Sequence, residues 1–223
     1  GEQDISCGTP GMVLASFQHV VDIGSLVTKF WKNPEVICLQ EIKSAVSATC
    51  SSNCNFCLPR NFFSFFTGDD NKRGVLTLVT RKANKAELIK SYSGKSHWNK
   101  VRIQLNNLSF SIINAYGPNI RSTSFYQSII NNQLKDPTPF LMIGDLNVDL
   151  DNFQKRHPNE SILKQLILQF NLIDIMKKFN LQGEFSWKRG SLESRIDHAF
   201  VSGHLSKSIK SILYRPEPLL ITK

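Results

Sequence analysis

Polar side chains follow the apolar runs of this sequence at four points along the chain. They are Glu41 after VICLQ, Tyr116 and Asn119 after FSIINA, Asp145 and Asn147 after FLMIG, and Asp197 within SRIDHAFVS. Because the ends of core strands in α/β sheets tend to meet in one crevice, we expect these side chains to converge. Three carboxylates and two amides would then form an oxygen-rich site.

Such a site suits Mg²⁺, which prefers carboxylate, phosphate and water ligands. In a basic protein it also suits phosphodiester hydrolysis, because the positive field attracts the nucleic-acid backbone, the metal neutralises the phosphate and an acidic side chain activates water. Each residue alone has a simpler explanation: Glu41 as a solvated strand end, Asp145 as part of a tight turn, and Asn119 as a turn residue after Pro118. Their combination and order favour the catalytic interpretation.

The composition is that of one folded, basic domain. The chain has 223 residues, 41% of them hydrophobic, and its 27 Lys and Arg against 18 Asp and Glu give a net charge of +9 and a pI near 9.4. A basic folded domain suits a polyanionic partner such as double-stranded DNA, although a merely soluble basic protein has the same composition. No apolar run is long enough to span a membrane and no signal peptide opens the chain, so we expect an intracellular protein in a reducing compartment.

Five cysteines are present, and an odd number argues against a disulfide framework in a chain of this length. Cys38 lies in the apolar run VICLQ and is predicted to be a buried thiol. Cys50, Cys54 and Cys57 form C-x3-C-x2-C in a polar stretch that is predicted to be a loop, but a zinc site usually needs four ligands. The sequence leaves open whether these cysteines bind anything.

Apolar periodicity predicts alternating strands and helices, and hence an α/β fold. Helices are expected at residues 23–31, 122–135 and 160–170, the second with Phe125, Ile129 and Leu134 facing inward. Several neighbouring strands are predicted to form hairpins, so the sheets should be mixed. The expected strands are residues 13–17, 36–39, 74–80, 101–105, 108–115, 140–143, 185–187, 196–201 and 209–214.

The polar strand ends match the motifs of a known family. LQE at 39–41, NAYGPN at 114–119, GDLNV at 144–148 and SRIDHAFVS at 194–202 resemble the endonuclease/exonuclease/phosphatase superfamily, in order and over nearly the whole chain. GDLN followed by SRID is the specific part of this resemblance, whereas LQE alone is weak. FSW at 185–187 and the compact length are more similar to the apurinic-endonuclease-like endonuclease domains of LINE-type (non-LTR) retrotransposons than to repair enzymes.

The resemblance implies a four-layer α/β sandwich in which two packed mixed β-sheets are flanked by helices. It also implies Mg²⁺ as the cofactor, with Mn²⁺ as a substitute, and contacts to phosphate or DNA from Asn119, Ser194 and Ser186. The other implied roles are metal binding for Glu41, orientation or deprotonation of the attacking water for Asp145, holding of that water and the phosphate for Asn147, contact with the phosphate or its leaving group for Tyr116, and orientation of a catalytic histidine for Asp197.

Two departures from the family pattern concern the ends of the motif series. Where the family carries an Asn after its opening strand, this chain has SFQHV, so Gln18 or His19 takes that place, and Gln18 keeps an amide oxygen for the metal. The family closes with Ser-Asp-His on a final strand, and this chain ends in LLITK where that motif should begin. His198 should point to the opposite face from its neighbour Asp197. We therefore expect a single endonuclease domain, 1–223, without that final strand, a departure that truncation and degeneracy explain equally well.

The implied function is phosphodiester hydrolysis by a metal-dependent DNA endonuclease, which nicks target DNA and leaves a 3′ hydroxyl to prime reverse transcription of a retrotransposon. The expected partners are double-stranded DNA and a reverse transcriptase domain of the same polyprotein, and the isolated domain is expected to be monomeric and nuclear. Lys188 and Arg189 are predicted to lie in a hairpin loop that senses DNA shape, or else in a solvated turn. The alternatives are an apurinic-site repair endonuclease and a catalytically impaired nucleic-acid-binding module.

Overall fold

The computed structural model describes residues 2–7, 12–18, 35–43, 61–68, 73–105, 107–152, 156–181, 187–189 and 192–215. The helices in these ranges are α1 (Thr123–Lys135), α2 (Glu160–Gln169), α3 (Ile175–Lys178) and α4 (Gly203–Ser206). The strands are β1 (Glu2–Cys7), β2 (Met12–Gln18), β3 (Val36–Lys43), β4 (Phe62–Thr67), β5 (Arg73–Thr80), β6 (Lys85–Tyr92), β7 (His97–Leu105), β8 (Leu108–Tyr116), β9 (Phe140–Asp145), β10 (Leu172–Asp174), β11 (Trp187–Arg189), β12 (Leu192–Ser194), β13 (Asp197–Ser202) and β14 (Ile209–Arg215).

Twelve of the strands form two six-stranded sheets. The first has the order β14-β1-β2-β3-β5-β4 and the second the order β10-β13-β9-β8-β7-β6, while β11 and β12 form a separate hairpin. The first sheet contains the parallel pair β2–β3 and the second the parallel pair β8–β9, beside antiparallel pairs in both. The prediction of an α/β fold with two mixed sheets is therefore confirmed.

Apolar side chains fill the space on both faces of the second sheet. Between the two sheets, Val36 and Cys38 of β3 pack with residues such as Val101 of β7 and Ile143 of β9. On the other face, Phe125 and the other inward side chains of α1 pack with α2 and with the outer side chains of β7, β8, β9 and β13. Alternate residues of each strand therefore serve two different cores, because successive side chains of a strand point to opposite faces.

Two further predictions are settled by the burial pattern. Cys38 is a buried free thiol, as expected, and burial raises the pKa of that thiol. Leu134 of α1 is 59% exposed, so the prediction that it faces inward is wrong. The buried residues of α1 are Phe125, Tyr126, Ile129, Ile130 and Gln133, a 3.6-residue repeat that places the amide of Gln133 where an apolar side chain was expected.

The strand boundaries differ from the prediction at two places that matter for the site. β7 begins at His97, four residues before the predicted start, because the polar segment His97–Lys100 is paired with β8. Glu41 lies inside β3 and does not follow it. The predicted helix at 23–31 and the cysteine-rich segment at 44–60 lie outside the described residues. In the ranges that are described, no helix is long and apolar enough to cross a membrane.

Candidate active site

Four polar residues form one row across the second sheet. The register pairs His97 of β7 with Tyr116 of β8, Tyr116 with Asp145 of β9, and Asp145 with Asp197 of β13. Neighbouring strands lie about 4.8 Å apart, so Tyr116 and Asp197 flank Asp145 on either side. The side chains are largely buried, with exposed fractions of 2% for His97, 9% for Tyr116, 4% for Asp145 and 7% for Asp197.

The row faces the first sheet. Leu141 and Ile143 of β9 belong to the core between the sheets, and Asp145 shares their face because alternate residues of a strand point the same way. Ala199 and Val201 place Asp197 on this face in the same manner. The apolar gap between the sheets therefore ends in a polar row that contains two carboxylates.

Gly144 brings β8 and β9 together beside this row. Its φ of +141° is unfavourable for other residues, and a Cβ atom placed there would lie 2.0 Å from the main-chain oxygen of Ala115. Only glycine permits so close an approach of two backbones. The parallel pairing that results sets Asp145 directly beside Tyr116.

Asn147 links the loops that follow β8 and β9. Its main-chain N–H donates to Oδ1 of Asp145 at 2.8 Å, and its side-chain Nδ2 donates to the carbonyl of Gly117 at 2.8 Å. Gly117 N in turn donates to the carbonyl of Asp145 at 2.7 Å. The left-handed φ of +54° at Asn147 is tolerated because asparagine adopts this region more readily than most residues. Asp145 and Asn147 are therefore held in one rigid turn.

Glu41 approaches from the first sheet. The pairing of β3 with β5 shifts between Leu39 and Ile42, and Glu41 has φ +57° at this bulge, with an exposed fraction of 8%. A bulge redirects a side chain that regular pairing would fix. The prediction that Glu41 follows the strand is therefore wrong, while its metal-binding role stays a prediction. Gln18 ends the neighbouring strand β2 and is paired with Gln40, the residue before Glu41, so the two predicted metal ligands belong to adjacent strands.

Hydrogen bonds between the sheets hold the end of β3 against β8. Gln40 Nε2 donates to Oδ1 of Asn114 at 2.7 Å, and Nδ2 of Asn114 donates to the carbonyl of Leu76 at 3.0 Å. Thr77 Oγ1 donates to Oδ1 of Asn99 at 2.7 Å in the same interior layer. Gln40, Asn114, Thr77 and Asn99 are all fully buried. These directional contacts fix the position of Glu41 relative to the row.

The donor set suits a hard cation that takes few protein ligands. Within the described residues, no group of three or more His, Cys, Asp and Glu side chains lies close enough to hold one metal ion, so the acidic residues do not converge into a single chelating cluster. Mg²⁺ is commonly held by one or two carboxylates together with water and substrate phosphate. The Glu41 carboxylate fits that kind of site.

The other residues that were predicted to contact phosphate or DNA lie outside the row, in a loop and in the β11–β12 hairpin. Asn119 is exposed in the loop that follows β8, and Ser194 ends β12 opposite Trp187. Lys188 and Arg189 belong to β11, where the register places Lys188 opposite Glu193. The predicted loop is therefore a short β-hairpin at this point. Ser186 and the side chains of Gln18, Lys188 and Arg189 lie outside the described part of the chain.

Behind Asp197, Arg195 forms a buried polar cluster on the outer side of the row. Its guanidinium is 1% exposed; Nε donates to Oδ2 of Asp151 at 2.8 Å, and Nη2 donates to Oδ2 of Asp174 at 2.9 Å. Partial burial raises the pKa of Asp151, but Lys177 and Arg195 outweigh it, so this pKa is lowered overall. The cluster ties the loop after β9 to the start of β13.

His198 completes this cluster as a neutral side chain. Burial and then the charge of Arg195 lower the pKa of His198 to about 4. Its Nε2 therefore carries the proton and donates to the carbonyl of Val148 at 2.6 Å, while Nδ1 accepts from Nη1 of Arg195 at 3.3 Å. The ring stacks on Phe200, which belongs to the helix-side core. His198 thus points away from Asp197, as predicted.

Comparison with known proteins adds the family. Residues 14–218 match the Endonuclease/Exonuclease/phosphatase family. The chain belongs to this family. The predicted enzyme class, a phosphodiester hydrolase, is confirmed at that level, and the family-like motifs at Asp145, Asn147 and Asp197 are the ones that build the row and its turn.

Individual relatives agree with this assignment. Over 132 residues, 53% of this chain, the sequence is 26% identical to the Transposon TX1 uncharacterized 149 kDa protein of Xenopus laevis, of whose length the chain spans 10%. The AP endonuclease LMAP from Leishmania major shares the fold with a TM-score of 0.62 at 15% identity, over 87% of this chain and 80% of that one. The endonuclease domain of TRAS1, a telomere-specific non-LTR retrotransposon, shares it with a TM-score of 0.56 at 14% identity, over 82% and 77%.

The sequence analysis does not predict two residues that lie in the row or beside it. His97 was not singled out because it precedes the apolar part of β7, and only its register with Tyr116 places it in the row. Arg195 is the second residue of the SRID motif, and a charged residue inside that motif is the one sequence feature that indicates a role for it. Its partners Asp151 and Asp174 are distant in sequence and follow no pattern that predicts the contact.

Proposed function

We propose that this chain is a Mg²⁺-dependent DNA endonuclease that nicks target DNA and leaves a 3′ hydroxyl from which a retrotransposon's reverse transcription is primed. The observation that carries the proposal is the row of Tyr116, Asp145 and Asp197 on one sheet, with Glu41 on the other sheet next to Gln40, which donates across the sheets to Asn114. Membership of a family of phosphoester hydrolases supports the chemistry. Similarity to a transposon protein supports the biological setting over DNA repair.

Glu41, with Gln18 on the adjacent strand, would hold the ion, and Mn²⁺ would substitute for Mg²⁺. When bound, the ion neutralises charge on the scissile phosphate. The net charge of +9 draws the DNA backbone to the domain. Without a cation, carboxylates beside a phosphate would repel it, which accounts for an acidic site in a basic protein.

The protein's own groups accept the proton of the attacking water and position the reactants. Asp145 accepts a proton from water as the water oxygen bonds to phosphorus, and the bond from phosphorus to the 3′ oxygen breaks, so that the 3′ oxygen leaves and takes a proton from a solvent water molecule. Asn147 orients the water and the phosphate from the turn it shares with Asp145. Tyr116 contacts the leaving group, and Asp197, beside Asp145, takes the place of the aspartate that orients a histidine in the family pattern. His198 does not supply that histidine, because its ring points to the opposite face of the sheet. Asn119 and Ser194 bind phosphate oxygens, and Ser186, Lys188 and Arg189 of the β11–β12 region contact the DNA.

The test is nicking of supercoiled plasmid with Mg²⁺ and with EDTA, using the wild-type chain and Asp145→Asn. This substitution keeps an oxygen that can accept from Asn147 N, so the turn is preserved while the proton acceptor is lost. We expect Mg²⁺-dependent nicking that falls by at least about 10²-fold in the variant, the lower end of what general base catalysis supplies. Glu87→Gln, at an acidic residue on the edge strand β6, is the control and should nick like wild type.

The products separate this function from its alternatives. A polymerase should extend the nicks directly, because they carry 3′ hydroxyls. Cutting confined to a duplex oligonucleotide with an abasic site would indicate a repair endonuclease, and DNA binding without any nicking would indicate a binding module. Equal nicking by Asp145→Asn would reject the role of Asp145. In the proposed setting the domain acts in the nucleus, as a monomeric part of a longer polyprotein that includes a reverse transcriptase.

A further inference from the structure

Asn159 occupies a helix start but does not cap that helix. It is the N-cap residue of α2 and its side chain makes no capping bond, although asparagine at this position usually stabilises a helix through such a bond. The side chain is fully buried. Its amide is instead committed to a different part of the chain.

The amide of Asn159 holds the loop that follows β8. Oδ1 accepts from Ser122 N at 2.8 Å, and Nδ2 donates to the carbonyls of Ile120 at 2.8 Å and Pro118 at 3.3 Å. The side chain therefore uses both of its N–H donors and one oxygen on three main-chain groups within five residues. Loss of the amide would remove the partners of these three main-chain groups, and polar groups that are wholly or partly buried destabilise a fold when they lose their partners.

His157 interacts with Asn119, the residue between Pro118 and Ile120. Its Nδ1 accepts from Asn159 N at 3.2 Å, and the ring also interacts with the backbone of Asn119, which acts to raise the pKa of His157. Partial burial outweighs this interaction and lowers the pKa of His157. We name His157 and Asn159 together the Asn159 clamp. It binds main-chain groups of residues 118, 119, 120 and 122, which surround Asn119 on both sides.

The other end of this loop is fixed to the candidate active site. Gly117 accepts from Nδ2 of Asn147 at 2.8 Å and donates to the carbonyl of Asp145 at 2.7 Å. The exposed side chain of Asn119 thus extends from a backbone that is anchored to the catalytic turn on one side and to the clamp on the other. The segment that carries Asn119 is therefore fixed on both sides.

We propose that the Asn159 clamp positions Asn119 to bind a phosphate oxygen of the DNA, which makes His157 and Asn159 positioning residues of the active site. This inference rests on the proposed nuclease function. Holding a binding group in place before substrate arrives lowers the cost of ordering it, and a misplacement of about 1 Å can reduce catalysis by about 10²-fold. The clamp is therefore expected to act on activity through Asn119.

A kinetic double-mutant cycle tests this. Asn119→Ala and Asn159→Ala should each lower kcat/KM for plasmid nicking by about 10- to 100-fold, and the double variant should be no worse than Asn119→Ala alone, because a group that acts only through Asn119 has nothing left to position. Asn131→Ala, at an exposed asparagine of α1, is the control and should match wild type. Multiplicative losses in the double variant would overturn the proposal, as would normal activity of Asn159→Ala.

A second variant and a second measurement guard against misfolding and inactivity. If Asn159→Ala does not fold, His157→Phe replaces it in the cycle, since it removes the bond to Asn119 but leaves the Asn159 amide. If the wild-type chain does not nick DNA, the proposed function fails and so does the catalytic half of this inference. Amide hydrogen exchange at Ser122 then decides whether the clamp holds the loop. Faster exchange in Asn159→Ala than in wild type supports the clamp, and unchanged exchange refutes it.

Discussion

Replacement of Arg195 offers a direct test of how the site is supported. Arg195→Met keeps much of the side-chain volume but removes the cation that lies between Asp151 and Asp174, with Nη2–Oδ2 distances of 2.7 and 2.9 Å. Breaking a buried ion pair by removing one partner costs about 3–5 kcal/mol, because the opposite charge is left uncompensated. Asp151 is 30% exposed and keeps Lys177 at 2.9 Å, which reduces this cost. We expect a loss of roughly 2–4 kcal/mol in the free energy of unfolding.

Urea denaturation of the purified chain measures this loss. Lys164→Met is the matched control, because it removes a cation from an exposed i,i+4 pair with Glu160 on α2, and such pairs contribute about 0.3–0.5 kcal/mol. Arg195→Lys should lie between the two, since it keeps the charge but cannot bind both carboxylates with a planar fork. A further cycle adds Asp174→Asn: it should cost less in the Arg195→Met background than in wild type.

One outcome would refute this reasoning. If Arg195→Met is no more destabilising than Lys164→Met, then the buried cluster contributes nothing beyond a surface ion pair. The loop after β9 would then be held in place by its main-chain contacts alone, such as Leu146 N to the carbonyl of Ile196 at 2.9 Å.

Three other substitutions probe the backbone, the pH response and the joint between the sheets. Gly144→Ala should prevent folding or lower Tm sharply, because its Cβ would meet Ala115 O at 2.0 Å, whereas Gly94→Ala, with a nearest neighbour at 3.8 Å, should leave Tm unchanged. The pKa of His198 in the folded chain lies below its ordinary 6.5, at about 4. Between pH 6.5 and 4 the unfolded chain therefore binds more protons than the folded chain, so the free energy of unfolding should fall as the pH drops through this range. His198→Gln should flatten this pH dependence in urea titrations at several pH values. Asn114→Ala should cost about 2–4 kcal/mol by leaving buried partners such as Gln40 unsatisfied, while Asn131→Ala should cost less than about 0.5 kcal/mol in the same assay.

Elements with a plain apolar signal were predictable from the sequence. β5 and β9 are continuous apolar runs buried on both faces, and α2 follows its predicted bounds to within a residue. The start of β7 was missed because His97, Asn99 and Lys100 are polar, and their burial is explained only by partners that other elements supply. Lys100, for example, donates to Gln133 at 2.7 Å and pairs with Asp136 at 2.9 Å, more than thirty residues away.

The candidate site shows the same division. Tyr116, Asp145 and Asp197 could be proposed from their positions after or within apolar strands, and the register indeed aligns them. The bulge at Glu41 could not be predicted, because a positive φ at a glutamate has no sequence signal. The roles of Arg195 and Asn159 were equally hidden, since each acts through contacts between segments that are distant along the chain. Local patterns thus locate the polar groups, and tertiary contacts decide which of them meet.

The polar layer between the sheets has a physical reason that follows from where the site lies. Glu41 belongs to one sheet and Asp145 to the other, so their relative position depends on how the two sheets are aligned. Apolar packing is not directional, and Val36 or Ile143 alone would tolerate a small slide of one sheet over the other. The hydrogen bonds that Asn114 accepts from Gln40 and donates to the carbonyl of Leu76 do not tolerate such a slide, because hydrogen bonds weaken steeply when their distance or angle changes. Burying these amides costs desolvation, and in return they fix how the strand that carries Glu41 is aligned with the strand that carries Tyr116.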